Sequence, residues 1–426
     1  MRSLNLKLTS FAILIASTVS SPLMHTANAM PNFARKYGLA CSACHTTIPR
    51  LNEFGFNFRA AGFRLPELIG KSDSSFDLSH YIAVDIAPQA TYATSTPPGA
   101  PSTSSFAMGL GEVGLHPLTG SLTKDLSSDV QMTFAPGSDL QIENAYVRYN
   151  CGSDEGFFST RIGIMHPFEG YGASDEPMGL SRPLFQQNAA NQAGQPSSTL
   201  FTPWGFNQFG VEAGYTVNRT AVRASVLSGI YYNSSDGSAS PASGGGLVKP
   251  TGEPSSNSVD LQLFVTQILT DEGGGVSGYF YLGQADLPTG IAAADSSLFQ
   301  NKFMRYAIYA SYPILSARLL AGFEQGTDNT WNTVTWSKGD NFKSQGWFAE
   351  ADYLPFDLFG FGVRYDQFDP SSSTADDQLS AVAAFVNYAF GNGLQIIGEY
   401  QTLTTMMGPG QEQHNNTIGL NLIWIH

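Results

Sequence analysis

The stretch Val259-Asp260-Leu261-Gln262-Leu263-Phe264-Val265-Thr266 alternates strictly, with Val259, Leu261, Leu263 and Val265 on one face and Asp260, Gln262, Phe264 and Thr266 on the other. A period of two belongs to a β-strand whose two faces meet different surroundings. The same pattern recurs far away in the chain. Phe209, Val211, Ala213 and Tyr215 oppose Gln208, Gly210, Glu212 and Gly214. Phe359, Phe361, Val363 and Tyr365 oppose Gly360, Gly362, Arg364 and Asp366, and Ile418, Leu420, Leu422 and Trp424 oppose Thr417, Gly419, Asn421 and Ile423. Segments of about ten residues with one apolar and one polar face are the mark of a transmembrane β-barrel.

Working outward, about 16 such segments are expected, an even number as bacterial barrels require. They begin near Leu78, Ser104, Ser127, Leu140, Phe158, Asn207, Thr220, Ser258, Gly275, Phe303, Ala317, Gln345, Phe359, Gln378, Leu394 and Asn416. Connections after even segments are mostly short: Val217-Asn218, Asp271-Glu272-Gly273, Pro313-Ile314, Pro355-Phe356 and Gly391-Asn392-Gly393. The long ones, Pro167 to Trp204, Asn233 to Ser256, Pro288 to Leu298 and Asp328 to Phe342, follow odd segments. Short turns on one side and long loops on the other match the periplasmic and extracellular ends of an outer-membrane barrel. A soluble β-sandwich would alternate too; the strand count, the final amphipathic segment with Trp424 and the aromatic residues near strand ends favour the membrane. By parity the lumen receives Arg161, Glu212, Arg223, Asp260, Arg305, Arg318, Glu324, Glu350, Asp352, Arg364, Asp366 and Glu399. Such a barrel is wide enough for an aqueous channel.

Composition agrees. The 426 residues are only 13% charged, with 44 Gly and 12% aromatics, where soluble domains carry about 25% charge. Mean hydropathy of −0.10 excludes a bundle of apolar helices. Residues 1–29 read as an export signal, with Arg2 and Lys7, an apolar run from Phe11 to Val19 and a small-residue site at Ala27-Asn28-Ala29. Removing it leaves a formal charge of −16, since Arg2 and Lys7 are its only charged residues. A nucleic-acid partner is not expected for so acidic a chain, and cations or basic partners are. Three cysteines make no disulfide framework. Cys151 stands alone in an expected periplasmic turn, Asn150-Cys151-Gly152.

The other two cysteines define a site. Cys41-Ser42-Ala43-Cys44-His45 has the spacing of c-type haem attachment. Two thiols add to the two porphyrin vinyl groups, and the adjacent histidine becomes an axial ligand of the iron. Zinc would need a second ligand pair, and a redox dithiol a βαβ setting, neither of which the sequence offers. One covalent haem c is therefore expected, held by Cys41, Cys44 and His45. Its sixth ligand stays open among Met165, Met108, His80 and His116. From Pro49 to Gly62, the spacing of Leu51, Phe54, Phe58 and Ala61 predicts a helix covering the haem, with Arg50, Arg59 or Arg64 pairing with the propionates. Residues 30–73 form this small α-helical haem segment, too short to hold a core without the haem. It plugs or caps the barrel of residues 74–426, on the periplasmic side or in the lumen.

Around the motif, Pro31, Phe33-Ala34-Arg35, Gly38, Pro49, Leu51, Gly55, Phe58-Arg59 and Gly62 resemble the outer-membrane fusions of a monohaem cytochrome c with a porin. That family includes the iron-oxidising outer-membrane cytochromes. The likeness is close over about 35 residues and elsewhere is one of strand pattern. It implies an outer-membrane electron conduit between an extracellular donor, suspected to be ferrous iron, and a periplasmic electron-carrier cytochrome, with iron(II):cytochrome oxidoreductase activity. The same fold could run electrons outward to an extracellular acceptor. Barrels of this kind contact outer-membrane lipid and often form homo-oligomers. Two other readings stand beside it: a solute-uptake porin with an accessory redox-docking haem segment, and a haem enzyme such as a peroxidase.

Overall fold

The computed structural model describes residues 31–71, 77–134, 140–165, 178–186, 208–228, 259–288, 298–328, 331–332, 337–338, 342–370, 376–390 and 393–426. The expected signal, residue 30, the boundary at 73–74 and most of the long connections from Pro167 to Trp204 and Asn233 to Ser256 lie outside them.

The N-terminal segment contains α1 (Pro31–Tyr37), α2 (Cys41–Cys44), the paired β1 (His45–Thr47) and β2 (Arg50–Leu51), and α3 (Glu53–Ala60). The wall begins with β3 (Ala83–Thr96), β4 (Thr103–His116), the two-residue β5 (Gly120–Ser121), β6 (Leu126–Phe134), β7 (Gln141–Gly152) and β8 (Gly156–Met165). It continues with β9 (Gln208–Val217), β10 (Thr220–Leu227), β11 (Asp260–Ile268), β12 (Gly275–Pro288), β13 (Leu298–Ile314) and β14 (Ala317–Asp328). A small separate hairpin joins β15 (Trp331–Asn332) to β16 (Ser337–Lys338). The wall ends with β17 (Phe342–Phe356), β18 (Phe359–Asp369), β19 (Leu379–Ala389), β20 (Leu394–Met406) and β21 (Glu412–Ile425). β21 pairs antiparallel with β3, for example Ile418 with Tyr92, and closes a 16-stranded barrel in which β5 is a short extra segment. Among the described residues no helix is long and apolar enough to cross a membrane.

The alternation reads out as expected. Leu261, Leu263, Val265, Val211, Tyr215, Phe361, Val363, Ile418, Leu420 and Trp424 all face outward and exposed. All twelve charged residues assigned to the lumen are buried inside it. Several boundaries move. Leu78–His80 is a single 3-10 turn, so the first strand starts at Ala83. β13 and β21 begin earlier than expected, at Leu298 and Glu412. Pro313-Ile314 and Pro355-Phe356 are strand ends, and the turns fall at Leu315 and Leu358, both in the left-handed region (φ 56° and 63°). Cys151 is not in a turn. It lies in β7 between inward Asn150 and Gly152, facing outward and half-buried.

The interior departs from a simple water-filled lumen. Residues Leu184, Phe185, Phe264, Tyr279, Tyr281, Phe303, Tyr309, Phe348 and Phe368 form an apolar core inside the barrel. Its centre is the single 3-10 turn Leu184–Gln186, which packs against β17, β18 and β19. Strand parity reveals which residues face inward but not that a loop comes back to meet them. The opposite condition holds along β3 and β4. Gly419 faces Leu180 of the inserted loop, so its register partners Thr91 and Ala107 also face inward. There Gln89, Ser105, Ala107 and Gly109 are exposed although they point into the barrel.

Candidate functional site: the motif in the barrel mouth

The N-terminal segment sits at the short-turn end of the barrel, and its hydrogen bonds reach the wall on several sides. Arg35 donates to the carbonyls of Ser79 (2.9 Å) and Ile82 (2.8 Å), and Asn32 to that of Thr119 (3.1 Å). Arg64 donates to the carbonyls of Lys124 and Leu126. Glu53 pairs with Arg219 of the β9–β10 turn (2.8 Å), and Arg318 of β14 donates to Thr46 Oγ1 (3.1 Å). Asn387 of β19 and Gln395 of β20 both donate to the Ile48 carbonyl (2.9 and 3.3 Å).

Charge explains the orientation. One side of the lumen carries Arg148 (β7), Arg161 (β8) and Arg223 (β10), with Glu212 pairing with Arg161 and Arg223. The opposite side of the ring carries Glu350 and Asp352 (β17), Asp366 (β18) and Glu399 (β20). The segment meets the acidic side with a guanidinium and the basic side with helix carbonyls. Arg50, 1% exposed, pairs with Glu350 and lies 3.9 Å from Asp352. At the basic side the carbonyl end of α3 accepts two bonds from Arg148, at Arg59 (2.6 Å) and Ala60 (3.0 Å), and Asn150 adds a third at 3.2 Å. The negative end of a helix beside a buried guanidinium is a favourable arrangement.

Within the segment, Asn52 ties the motif to α3. Its side chain caps α3 through Gly55 N (2.9 Å) and donates to Ala43 O (3.0 Å), while its own N–H donates to Cys44 O (2.9 Å). Gly55 is required, because a Cβ there would strike the Cys44 carbonyl. At Gly62 (φ +74°) a Cβ would strike Ser127 of the wall. The helix is shorter than expected, since Arg50-Leu51 pairs with the strand after the motif and helix begins only at Glu53. Phe54 and Phe58 pack with Phe33, Tyr37 and Phe63 in an aromatic cluster internal to the segment.

The motif residues are brought together as the spacing requires. Cys41 and Cys44 are buried at the two ends of α2, neither in a disulfide. Burial pushes the Cys41 thiol up to about 12 and the Cys44 thiol up to about 11. Both are therefore protonated at neutral pH and inert as exposed nucleophiles. Cys41 packs with Ile48, Leu358 and Ala389 at the rim. His45 Nδ1 lies 3.1 Å from the Pro49 carbonyl, an oxygen that only accepts, so Nδ1 carries the proton and a metal would be assigned to Nε2. This donor set suits a covalently held haem: two thiols one helical turn apart, and a histidine of fixed tautomer at the end of the same turn.

The other expected site residues are dispersed. Arg50 and Arg64 are committed to the wall rather than to propionates, because burial requires a partner for each guanidinium. Arg59 lies over the Phe56 ring (5.6 Å) and, with Arg219, Arg223 and Phe264, lines a cavity between α3 and β9–β11. Met108 is 78% exposed on the outward face, and Met165 is buried at the far, long-loop end of β8. His80 lies in the 3-10 turn before the wall, so strand parity does not apply to it. His116 faces inward and pairs with Asp85 (3.2 Å). Arg50, Asn387 and Gln395 as anchors of the motif carried no local signal, since each partner is hundreds of residues away.

No protein-family model matches the chain, and no curated protein matches it. Among solved structures it is similar to the anion-selective porin from Comamonas acidovorans, 12% identical, over 80% of this chain and 99% of that one, with a TM-score of 0.50. It is also similar to the outer membrane channel DcaP of Acinetobacter baumannii, 11% identical, over 81% and 97% of the two chains, with a TM-score of 0.50. At these identities the likeness is one of fold: the chain has the barrel of an outer-membrane porin. The resemblance to haem-bearing fusions rests on the N-terminal residues alone.

Proposed function

We propose that the protein is an outer-membrane electron conduit in which one haem c, attached to Cys41 and Cys44 and ligated by His45, sits in the periplasmic mouth of a porin barrel. The observation that carries this reading is the seat of the motif: Cys41 is packed on the rim residues Leu358 and Ala389, and His45 is oriented by Pro49. A haem supplies a one-electron carrier, and the residues around it hold that carrier in place rather than react. Arg50, Arg148, Asn387 and Gln395 lock the segment into the wall, so that the carrier stays at a fixed depth in an apolar belt about 25 Å tall. The partners follow from the two ends: a soluble donor outside, ferrous iron by the resemblance, and a periplasmic cytochrome inside. The acidic balance of the chain suits attraction of a cation.

The test is export of the full chain in a host that matures c-type cytochromes. The pyridine haemochrome spectrum should show one covalent haem per chain, lost in Cys41→Ala/Cys44→Ala. Absence of haem from the folded wild-type barrel would reject the reading.

A second reading is favoured by the porin fold and by the exposed inner surface of β3 and β4: a channel for solutes, with the N-terminal segment as an accessory. Liposome swelling distinguishes the two. Solute flux that is unaffected by redox state supports the channel; vesicles tight to small solutes yet conducting electrons support the conduit.

A further inference from the structure

We infer that Met178 supplies the second axial ligand of the haem held through His45, an inference that rests on the haem reading above. Met178 is fully buried, in the loop segment folded back into the barrel. Asn387 Nδ2 donates to both the Met178 carbonyl (3.0 Å) and the Ile48 carbonyl (2.9 Å), so one side chain joins this segment to the chain three residues past His45. The thioether methyl occupies the space that Gly360 leaves, 2.7 Å from where a Cβ would stand and next to Leu354. Gly360 follows Leu358 by two residues, and Leu358 packs on Cys41. The thioether is thus held at the same corner of the rim as the motif.

The segment is also fixed in place. Glu399 Oε2 accepts from Leu180 N (2.7 Å) and Ser181 N (3.1 Å), and Arg364 donates to Ser181 O (2.7 Å) and Arg182 O (3.0 Å). A thioether is a soft donor well matched to haem iron, and a Met/His pair raises the potential of the iron above that of two nitrogen ligands. The four residues expected from the sequence do not share this placement. Met108 faces outward, Met165 lies at the opposite end of its strand, His80 precedes the wall, and His116 is engaged by Asp85 on the β3–β4 side.

The experiment compares the haem-loaded full chain in detergent with Met178→Leu, which keeps the volume, Met178→Ala, and Met165→Leu as a control. The pyridine haemochrome assay is run first and reports whether covalent haem is present at all. Wild type should show the charge-transfer absorption of a ferric–thioether bond and resist carbon monoxide when reduced. Both Met178 variants should lose that absorption, bind carbon monoxide and fall in reduction potential, while Met165→Leu behaves as wild type. Covalent haem whose spectrum and carbon monoxide resistance survive in Met178→Leu would overturn the ligand assignment and leave the haem reading standing. A folded barrel with no covalent haem would overturn the haem reading itself.

Discussion

The inner faces of β17–β20 and of β3 and β4 belong to one ring, yet they are finished in opposite ways. The first presents Glu350, Asp352, Asp366 and Glu399, engaged by Arg50, by Arg364 or by the backbone of the inserted loop. The second presents Gln89, Ser105, Ala107 and Gly109 to solvent, and nothing lies within 4 Å of a Cβ built on Gly109. Large charged and aromatic inward residues therefore mark where the plug and the loop dock. Small neutral ones mark where water is left. A lumen of this width holds both a packed face and a solvent-exposed one, and the inward side chains differ between them.

The contrast is most easily broken at Arg50. Arg50→Ala removes the cation nearest Glu350 and Asp352, with Arg364 still 3.7 Å from Glu350, and the loss of one partner of a buried pair costs up to about 3–5 kcal/mol. Limited proteolysis should cut the N-terminal segment from a barrel that remains folded, and Arg50→Met with Glu350→Met should restore protection. Unchanged protection in Arg50→Ala would show that the acidic wall does not hold the plug.

Next in size is a pair of substitutions one residue apart on β4. Met108→Arg puts a charge on the outward face, at a cost approaching about 2–4 kcal/mol near the bilayer midplane. Ala107→Asp points into water and should change stability by no more than about 0.5 kcal/mol. Urea unfolding in lipid vesicles reads both, and equal effects would contradict the assignment of faces.

Smaller still is the comparison of two glycines. Gly419→Leu forces Leu180 away, its Cδ1 being 2.6 Å from the new Cβ, and overpacking costs about 1–3 kcal/mol. Gly109→Leu meets open space and should leave the melting temperature unchanged. Thermal melts of both variants check this, and a destabilised Gly109→Leu would mean that the exposed face is covered.

The wall was legible because it depends on period alone. Leu261 or Trp424 needs only its own strand to declare its face, and all twelve lumenal charges were assigned correctly by parity. The motif was legible for a related reason, since Cys41, Cys44 and His45 are neighbours in the chain. What could not be read was everything that required knowing which distant residues meet. The pairing of Arg50 with Glu350, the sharing of Asn387 by Ile48 and Met178, and the core around Phe185 depend on the inserted loop and plug, and have no local pattern. Cys151 was misplaced because Asn150 and Gly152 resemble a turn, while Gly152 (φ +136°) only ends the strand one residue later. His80 and Leu78 were assigned to a strand because apolar alternation continued past the point where Asp77 caps a 3-10 turn.

The most direct measurement of the central claim uses sealed vesicles carrying the full chain, with an impermeant oxidant inside and a reductant added outside. A single haem in the mouth of a plugged barrel predicts reduction of the enclosed oxidant by wild type and none by Cys41→Ala/Cys44→Ala. Vesicles whose oxidant stays unreduced while haem is present, or is reduced equally in the cysteine variant, would contradict it.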